Sequence, residues 1–346
     1  MRRPRRTDAI PVVLLSNMDP LWSEEDREEV RGLVRRLAEA LSRAGHPVSV
    51  EQLEREDLDA LMAPYDPASC VVFNWCEGIP GIDHSEHLVA RRLEELGFTF
   101  TGADSTVLET AQDKRLVKRI LEGARVPTPR WRLYGAPRAR DWDCFPAIVK
   151  AAHEHCSAGI TPQSVVTTVE ELEERIAYIV DAYRQPAIVE DFIDGREFHV
   201  SIWGNGALEM LPPAEMDFSE FNDMHDRLCT RDSKCVPGSL HYEKIRTLLP
   251  APLDAHEMRE LERVCAAAYR AVGCRDYGRL DVRVRDGVFY VLDVNPNADI
   301  SIDASMACAA EVAGFPYHLM AGTIVRLACE RLASGNTRAR VVEDLI

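Results

Sequence analysis

The sequence predicts an α/β protein: an N-terminal unit of alternating strands and helices, followed by a mixed α+β region in which helices give way to hairpins. Three observations predict it. Apolar strand-like runs at 10–15, 48–50, 70–73 and 98–101 alternate with helical periods at 23–41 and 85–96, and strands separated by helices imply parallel pairing. A helix-rich stretch at 105–123 stops at Val126-Pro127-Thr128-Pro129, because proline and its predecessor both resist helix. Beyond residue 187 the strand runs are joined by short turns, Gly204-Asn205-Gly206 and Asp286-Gly287.

Each element has a local reason. Ser23 opens the first helix, whose apolar Val30, Leu33, Val34, Leu37, Ala38 and Leu41 recur at helical spacing, and Gly45 stops it. Gly97 ends the helix at 85–96 in the same way. The first unit is placed at 1–105. The run at 146–150 is a short strand ending on Lys150, and Thr168-x-x-Glu171 is a capping box opening a helix to about Tyr183. Strands follow at 187–192 and 198–203, a helix at 257–272 with Gly273 after it, and paired strands at 280–285 and 288–294. The segment 212–255 shows no period and reads as a long excursion, functional or disordered.

Composition narrows the function. With 41 Lys and Arg against 57 Asp and Glu, the net charge of −16 argues against nucleic acid and anionic membrane as partners. The chain has 46% apolar residues, an ordinary globular share, and no apolar run approaches the roughly 18 residues of a membrane span. Arg2, Arg3, Arg5 and Arg6 precede too short an apolar run for a secretory signal and read as a solvated tail. Ten cysteines without a C-x-x-C pair read as reduced, small buried hydrophobes in a cytoplasmic protein.

The hairpin near residue 290 carries the most chemistry. Tyr-Gly-Arg-Leu-Asp (277–281) runs up one side and Leu-Asp-Val-Asn-Pro (292–296) down the other. Alternation puts Asp293 and Asn295 on one face. A two-residue Asp286-Gly287 turn pairs Arg285 with Val288 and leaves Asp293 on the wrong face for Asp281. A three-residue loop pairs Val284 with Val288 and sets Asp281 diagonal to Asp293 on its face. In the second register two carboxylates and an amide converge, a hard oxygen set suited to Mg²⁺. Without it the hairpin is a solvent-facing polar pair. Arg279 shares the face of Asp281 and requires an anionic partner, such as a phosphate or a developing oxyanion.

No P-loop and no well-placed G-x-G-x-x-G is present. The phosphate grip therefore falls to isolated lysines, Lys114, Lys150 and Lys234. Lys150 stands out because it terminates an apolar strand. The loop after it, His153-Glu154-His155-Cys156-Ser157-Ala158-Gly159-Ile160, is polar and able to offer backbone N–H groups to phosphates. His153 and His155 sit at i, i+2 with no evident third ligand, a poor zinc pattern.

Together these motifs resemble the ATP-grasp superfamily and, within it, the D-alanine–D-alanine ligase-like group, from about Val71 to the C-terminal helix. Phe73-Asn74-Trp75-Cys76-Glu77-Gly78 and Phe100-Thr101-Gly102 look like its early segments, and Asp113-Lys114-Arg115-Leu116-Val117-Lys118 is similar to its nucleotide helix. The resemblance implies an N-terminal domain at 1–105 and two ATP-grasp lobes, at 106–186 and 187–346. It implies ATP contacts from Lys114, Lys150, Glu154, Gly159, Glu190, Asp191, Phe192, Ile193 and Glu197. It implies catalytic roles for Arg279 (oxyanion), Lys234 (transferred phosphoryl group) and Ser157 (phosphate loop). Asp281, Asp293 and Asn295 become magnesium ligands, for two ions, with Mn²⁺ an alternative. Glu77, Asp299 and Ser301 are the substrate-facing residues. The implied reaction is ADP-forming carboxylate–amine ligation through an acyl phosphate, with small-molecule substrates and, as often in this group, a homodimer.

Departures from the group bear on the substrate. The first strand is followed by Ser16-Asn17-Met18-Asp19 rather than a glycine pair, and either Glu28 or Glu29 stands in for the group's early glutamate. After Asn295 comes Pro296-Asn297-Ala298-Asp299-Ile300-Ser301, in which Asp299 repels a carboxylate or serves as a turn residue. The expected activity is therefore general amide ligation. The alternatives are a true D-alanine–D-alanine ligase, a small-molecule kinase and a non-catalytic ATP-binding protein.

Overall fold

Three sheets organise the chain. The computed structural model describes residues 9–155, 157–236 and 238–343, without the side chains of 234, 235 and 332–343. In the first sheet β1 (Val12–Asn17), β2 (Val48–Leu53), β3 (Val71–Trp75) and β4 (Thr99–Phe100) lie in the order β2-β1-β3-β4, all parallel. Helices α1 (Glu24–Arg43), α2 (Leu58–Met62) and α3 (Glu86–Glu95) make the crossovers. Ser23 caps α1 by accepting the Asp26 N–H at 3.1 Å, and Gly45 turns the chain out at a φ of +101°. Such a sheet offers its ligand site at the carboxyl ends of its strands, here at Asn17, Glu77 and Gly102.

The helix-rich stretch is two helices, α4 (Ser105–Gln112) and α5 (Lys114–Gly123). Asp113 separates them: its carboxylate accepts the N–H groups of Arg115 (2.9 Å) and Leu116 (3.3 Å) and so starts a new helix. That cap fixes Lys114 at the first turn of α5.

The second sheet, β5 (Trp131–Tyr134), β6 (Ala147–Ala151), β7 (Val165–Val166) and β8 (Ala187–Asp191), is antiparallel in the order β5-β8-β6-β7. Helix α6 (Val169–Tyr183) covers one face, burying Leu172, Ile176 and Ile179 against Val149 and Val189. Only half of the expected capping box forms. Thr168 accepts the Glu171 N–H, but the Glu171 carboxylate turns to the N–H and hydroxyl of Thr167.

The third sheet runs β12-β11-β9-β13-β14, with β10 also pairing β9. Its strands are β9 (Glu197–Trp203), β10 (Glu209–Met210), β11 (Ala214–Asp217), β12 (Arg246–Leu248), β13 (Tyr277–Arg285) and β14 (Val288–Asn295). The excursion at 212–255 is structured: it supplies β11, β12 and the short helices α7 (Asp232–Cys235) and α8 (Leu240–Lys244). Its elements run only three to five residues, too short to show a period. Helices α9 (Ala255–Val272), α10 (Ser305–Val312) and α11 (Tyr317–Glu343) complete the fold. On β9, Phe198, Val200 and Ile202 join the core of α9, which turns Glu197, His199 and Ser201 to the opposite face.

The eight described cysteines are unbridged, and only Cys70, Cys76, Cys265 and Cys274 are buried. The expectation of small buried hydrophobes thus holds for half of them. Cys156, Cys235 and the N-terminal arginines lie outside the described residues and side chains. No described helix is long and apolar enough to cross a membrane.

Candidate active site

The hairpin starts in the two-residue register anticipated from the sequence and leaves it before Asp281. Asp286 and Gly287 form a two-residue turn with φ of +52° and +76°, and Arg285 pairs with Val288. Pairing proceeds regularly to Val282 opposite Val291, and then Asp281 stands opposite Asp293. Leu292 is therefore an extra residue in β14, a bulge that re-aims Asp293 and the residues after it. The carboxylates that a plain two-residue turn would set on opposite faces become direct neighbours.

Arg279 holds this arrangement. Its Nε and Nη2 donate to Asp281 Oδ1 and Oδ2 at 2.8 and 3.0 Å, a bidentate pair. Asn295 pairs with Arg279 across the ladder, and its Nδ2 lies 3.4 Å from Asp281 Oδ2. Asp293, Asp281 and Asn295 thus converge with Arg279 as one oxygen-rich group. Two facing carboxylates with a carboxamide form the hard donor set that Mg²⁺ requires.

A cleft opens between the second and third sheets. Lys150 enters from β6, Glu190 to Ile193 from the end of β8, Glu197 and His199 from β9, and Asp281 and Asp293 from the hairpin. Lys114, Glu154 and Ser157 line its upper wall. The Lys114 ammonium donates to the Glu154 carbonyl, and Gln185 Nε2 donates to the Glu154 carboxylate at 2.8 Å. Ser157 Oγ donates to the Cys229 carbonyl at 2.9 Å, tying the loop to the lower wall. Gly159 adopts a φ of +71°, and a Cβ there would meet Tyr183 Oη at 2.6 Å. That position requires glycine.

Glu190 is the electrostatic centre of the cleft. It is 1% exposed, and its Oε2 takes Lys150 Nζ at 3.0 Å and Lys118 Nζ at 3.4 Å. Burial raises its carboxyl, but Lys118 and then Lys150 outweigh burial and hold it below the usual range. Burial lowers Lys118 to about 8, against the pull of Glu190. Glu190 Oε1 is buried without a hydrogen-bond partner. An acceptor left open at the wall of the cleft suits an N–H donor such as the amino group of a purine.

Arg283 fixes the far end. It is 2% exposed, donates to Glu197 Oε2 at 2.6 Å and to the Ile193 carbonyl at 3.0 Å, and lies over the Phe192 ring. Burial raises the Glu197 carboxyl, and Arg283 with His199 reverses this and holds it far below the carboxylate range. Asp191 forms a bidentate pair with Arg285, at 2.9 and 2.5 Å, which clamps the end of β8 to the hairpin.

A second group lies at the carboxyl edge of the first sheet. Asn17 Oδ1 accepts the Glu77 N–H at 2.9 Å, and Glu86 accepts from Asn297 Nδ2 at 2.8 Å. Burial raises Glu86 to about 7, and the Glu77 charge adds to this against the Asn297 bond. Glu77 keeps an exposed tip, yet the protein around it and then the Asp299 charge raise its carboxyl. Asp299 also accepts the Ser301 N–H at 2.8 Å, so its turn role and its charge coexist.

Most of the expected residues therefore meet. Those assigned to ATP line the cleft or, like Gly159, shape its loop, and Arg279 and Asn295 abut the hairpin carboxylates. Glu77, Asp299 and Ser301 belong to the edge group. Lys234 lies in α7, and its side chain is outside the described ones. Arg283 and His199 were not anticipated, and Lys118, named within the Asp113–Lys118 nucleotide-helix motif, was given no role of its own. Strand alternation offered a signal for two of them, since Arg283 follows Asp281 and His199 follows Glu197 at i+2.

The family model for the D-ala D-ala ligase C-terminus matches residues 136–326. An uncharacterised protein of Sinorhizobium fredii, y4sG, is 32% identical over 84% of this chain and 86% of its own length. A D-alanine–D-alanine ligase of Alcanivorax borkumensis is 30% identical over 69% of this chain and 72% of its own. One of Marinomonas is 27% identical over 86% and 90%. The structure of the Bacillus anthracis D-alanine–D-alanine ligase complexed with ATP superposes with a TM-score of 0.71 at 19% identity. It covers 94% of this chain and all of that one, a likeness of fold. With a family model over more than half of its residues and a relative of this similarity, the chain belongs to the D-alanine–D-alanine ligase family of the ATP-grasp fold and is an ATP-dependent, ADP-forming ligase.

Proposed function

We propose that the protein joins two small amino acids into a dipeptide through an acyl phosphate, with D-alanine–D-alanine ligation as the leading reading. The relatives' names favour this specific alternative over the general amide ligase expected from the sequence. The observation that carries the chemistry is the opposition of Asp281 and Asp293 beside Arg279, in the cleft that Lys150 and Glu190 also line.

In this reading Glu190 and the hinge 191–193 receive the adenine, and Glu197 the ribose. Lys114, Lys150 and the loop with Glu154, Ser157 and Gly159 hold the phosphates, and Lys234 reaches the transferred group. Asp281, Asp293 and Asn295 hold two Mg²⁺ ions, with Mn²⁺ as a substitute, which would neutralise the triphosphate. A substrate carboxylate oxygen attacks the γ-phosphorus and ADP leaves. The second substrate's amine then attacks the acyl carbon, and phosphate departs with the original carboxylate oxygen. Arg279 stabilises the oxyanion between these events, a contact worth about 3 kcal/mol. The loop at 153–160 excludes water that would hydrolyse the acyl phosphate. Domain boundaries at 105 and 186, a homodimer and a cytoplasmic setting belong to the same proposal.

One observation favours a second reading of the nucleophile. Asp299, whose charge acts on Glu77, places negative charge in the edge group where the group's ligases bind a carboxylate, and this favours a nucleophile with an extra positive charge. Incubation with ATP, Mg²⁺ and D-alanine, or with cationic amino acids and diamines, separates the two by product mass. A phosphorylated but uncondensed product would point to a kinase, and ATP binding without turnover to a non-catalytic protein.

A further inference from the structure

The cleft carries a donor set of which the ligation reading uses only Glu197. Among the described residues, Glu197, His199 and Cys229 bring a carboxylate oxygen, an imidazole nitrogen and a thiol sulfur within 4.8 Å of one another. We propose that these three side chains form a site for a thiophilic divalent cation of the Zn²⁺ class, and that this cation and the nucleotide exclude each other.

The elements that build the site fix its donors. Glu197 and His199 stand at i, i+2 on β9 and are 6% and 7% exposed. Cys229 is half-buried, and its carbonyl accepts from Ser157 Oγ. Outer partners orient two of the ligands, as in established metal centres. Arg283 occupies Glu197 Oε2 at 2.6 Å and leaves Oε1 facing His199. Ser305 Oγ lies 3.3 Å from His199 Nδ1, which directs Nε2 into the cleft.

The spacing suits a cation rather than hydrogen bonds. His199 Nε2 lies 3.7 Å from Glu197 Oε1 and 3.9 Å from Asp281 Oδ1, both beyond hydrogen-bond range. Bonds of about 2.0–2.1 Å to a tetrahedral ion place neighbouring nitrogen and oxygen ligands roughly 3.3 Å apart. Closing on an ion therefore takes a few tenths of an ångström on the Glu197–His199 edge and a side-chain rotation at Cys229. A mixed nitrogen, oxygen and sulfur set selects Zn²⁺ or Co²⁺ over Mg²⁺, whereas the neighbouring Asp281–Asp293–Asn295 set is all oxygen. The exclusion rests on the proposed function, in which Glu197 receives the ribose: a cation on Oε1 takes that acceptor away.

Co²⁺ is the probe, since its thiolate bond gives a near-ultraviolet charge-transfer band. Titration of the full-length protein without nucleotide should give one equivalent of bound Co²⁺ with that band, and excess Zn²⁺ should remove it. Cys229→Ser should abolish the band, and both it and His199→Ala should weaken binding at least about tenfold. The serine variant is nearly isosteric, so the test survives if His199→Ala fails to fold. No band in the unaltered protein, or a band that persists in Cys229→Ser, overturns the site. Mg–ATP should displace the Co²⁺. Retention of Co²⁺ under saturating Mg–ATP overturns the exclusion and the ribose role of Glu197, while the cation site stands.

Discussion

Asp281 and Asp293 face each other directly across the β13–β14 hairpin because Leu292 is an extra residue in β14. The two positions are nevertheless unequal. Asp281 is held by both arms of Arg279, whereas Asp293 accepts the N–H of its own neighbour Val294 at 3.0 Å. Neutralising Asp293 relieves a like-charge contact but weakens the charge balance of Arg279 and Lys118, while neutralising Asp281 removes the hydrogen-bonded partner of Arg279.

Two isosteric variants separate these effects. Asp293→Asn should cost less stability without metal than Asp281→Asn, and weaken Mg²⁺ binding by about 10- to 100-fold. Asp281→Asn should lose the metal and also cost about 1–3 kcal/mol of stability. Urea unfolding in EDTA reads the stability, and Mg²⁺-dependent turnover reads the metal. Equal stability losses in both variants would contradict the asymmetry.

Lys118 is structural as well as electrostatic. It is 1% exposed and shares Glu190 Oε2 with Lys150, and its ammonium also donates to Thr128 Oγ1 at 2.8 Å. Lys118→Met leaves Glu190 with one cation and should destabilise the protein by up to about 3–5 kcal/mol. Adding Glu190→Gln should recover part of that loss in denaturant unfolding. A neutral Lys118→Met would show that Lys150 alone satisfies the carboxylate.

Features were legible in the sequence to the degree that their causes are local. Ser23, Gly45 and Gly273 mark helix ends through their own backbone and caps, and the structure places them as expected. The lysine at the end of the 146–150 run was readable because an apolar strand must aim its last side chain at a layer. The bulge at Leu292 was not readable, since it depends on the pairing of β13 with β9 as well as with β14. Lys118 was legible only as part of the nucleotide-helix motif, because its partner Glu190 is 72 positions away in sequence and comes from β8. The two-residue strand β7 and the four-residue β5 carry too few positions for a period.

Asp299 carries the prediction on specificity. If the nucleophile bears an extra positive charge, Asp299→Ala should raise its KM about tenfold or more and improve the use of D-alanine. If D-alanine is the nucleophile, the unaltered protein should already condense it, and Asp299→Ala should leave the product unchanged. Steady-state kinetics with product masses decide between them, and full activity of Asp299→Ala toward a cationic nucleophile rules out that role.

Glu86 gives the pH prediction. Its carboxyl is raised to about 7 by burial and by Glu77, so the folded protein holds a proton that the unfolded chain has released. Its contribution to stability is present below about pH 4.5 and is lost as the pH rises through 7. Glu86→Gln should remove this fall, making stability between pH 5 and 8 flatter than in the parent. Parallel urea midpoints against pH in the two proteins would contradict it.

The central claim is an acyl phosphate, and the oxygen it transfers is traceable. The protein is incubated with ATP, Mg²⁺ and D-alanine labelled with heavy oxygen in its carboxylate, with Asp293→Asn as the blank, and the released phosphate is analysed by mass. The account predicts ADP, a condensed dipeptide and one labelled oxygen in each phosphate. Condensation that yields unlabelled phosphate, or AMP with pyrophosphate, would contradict it.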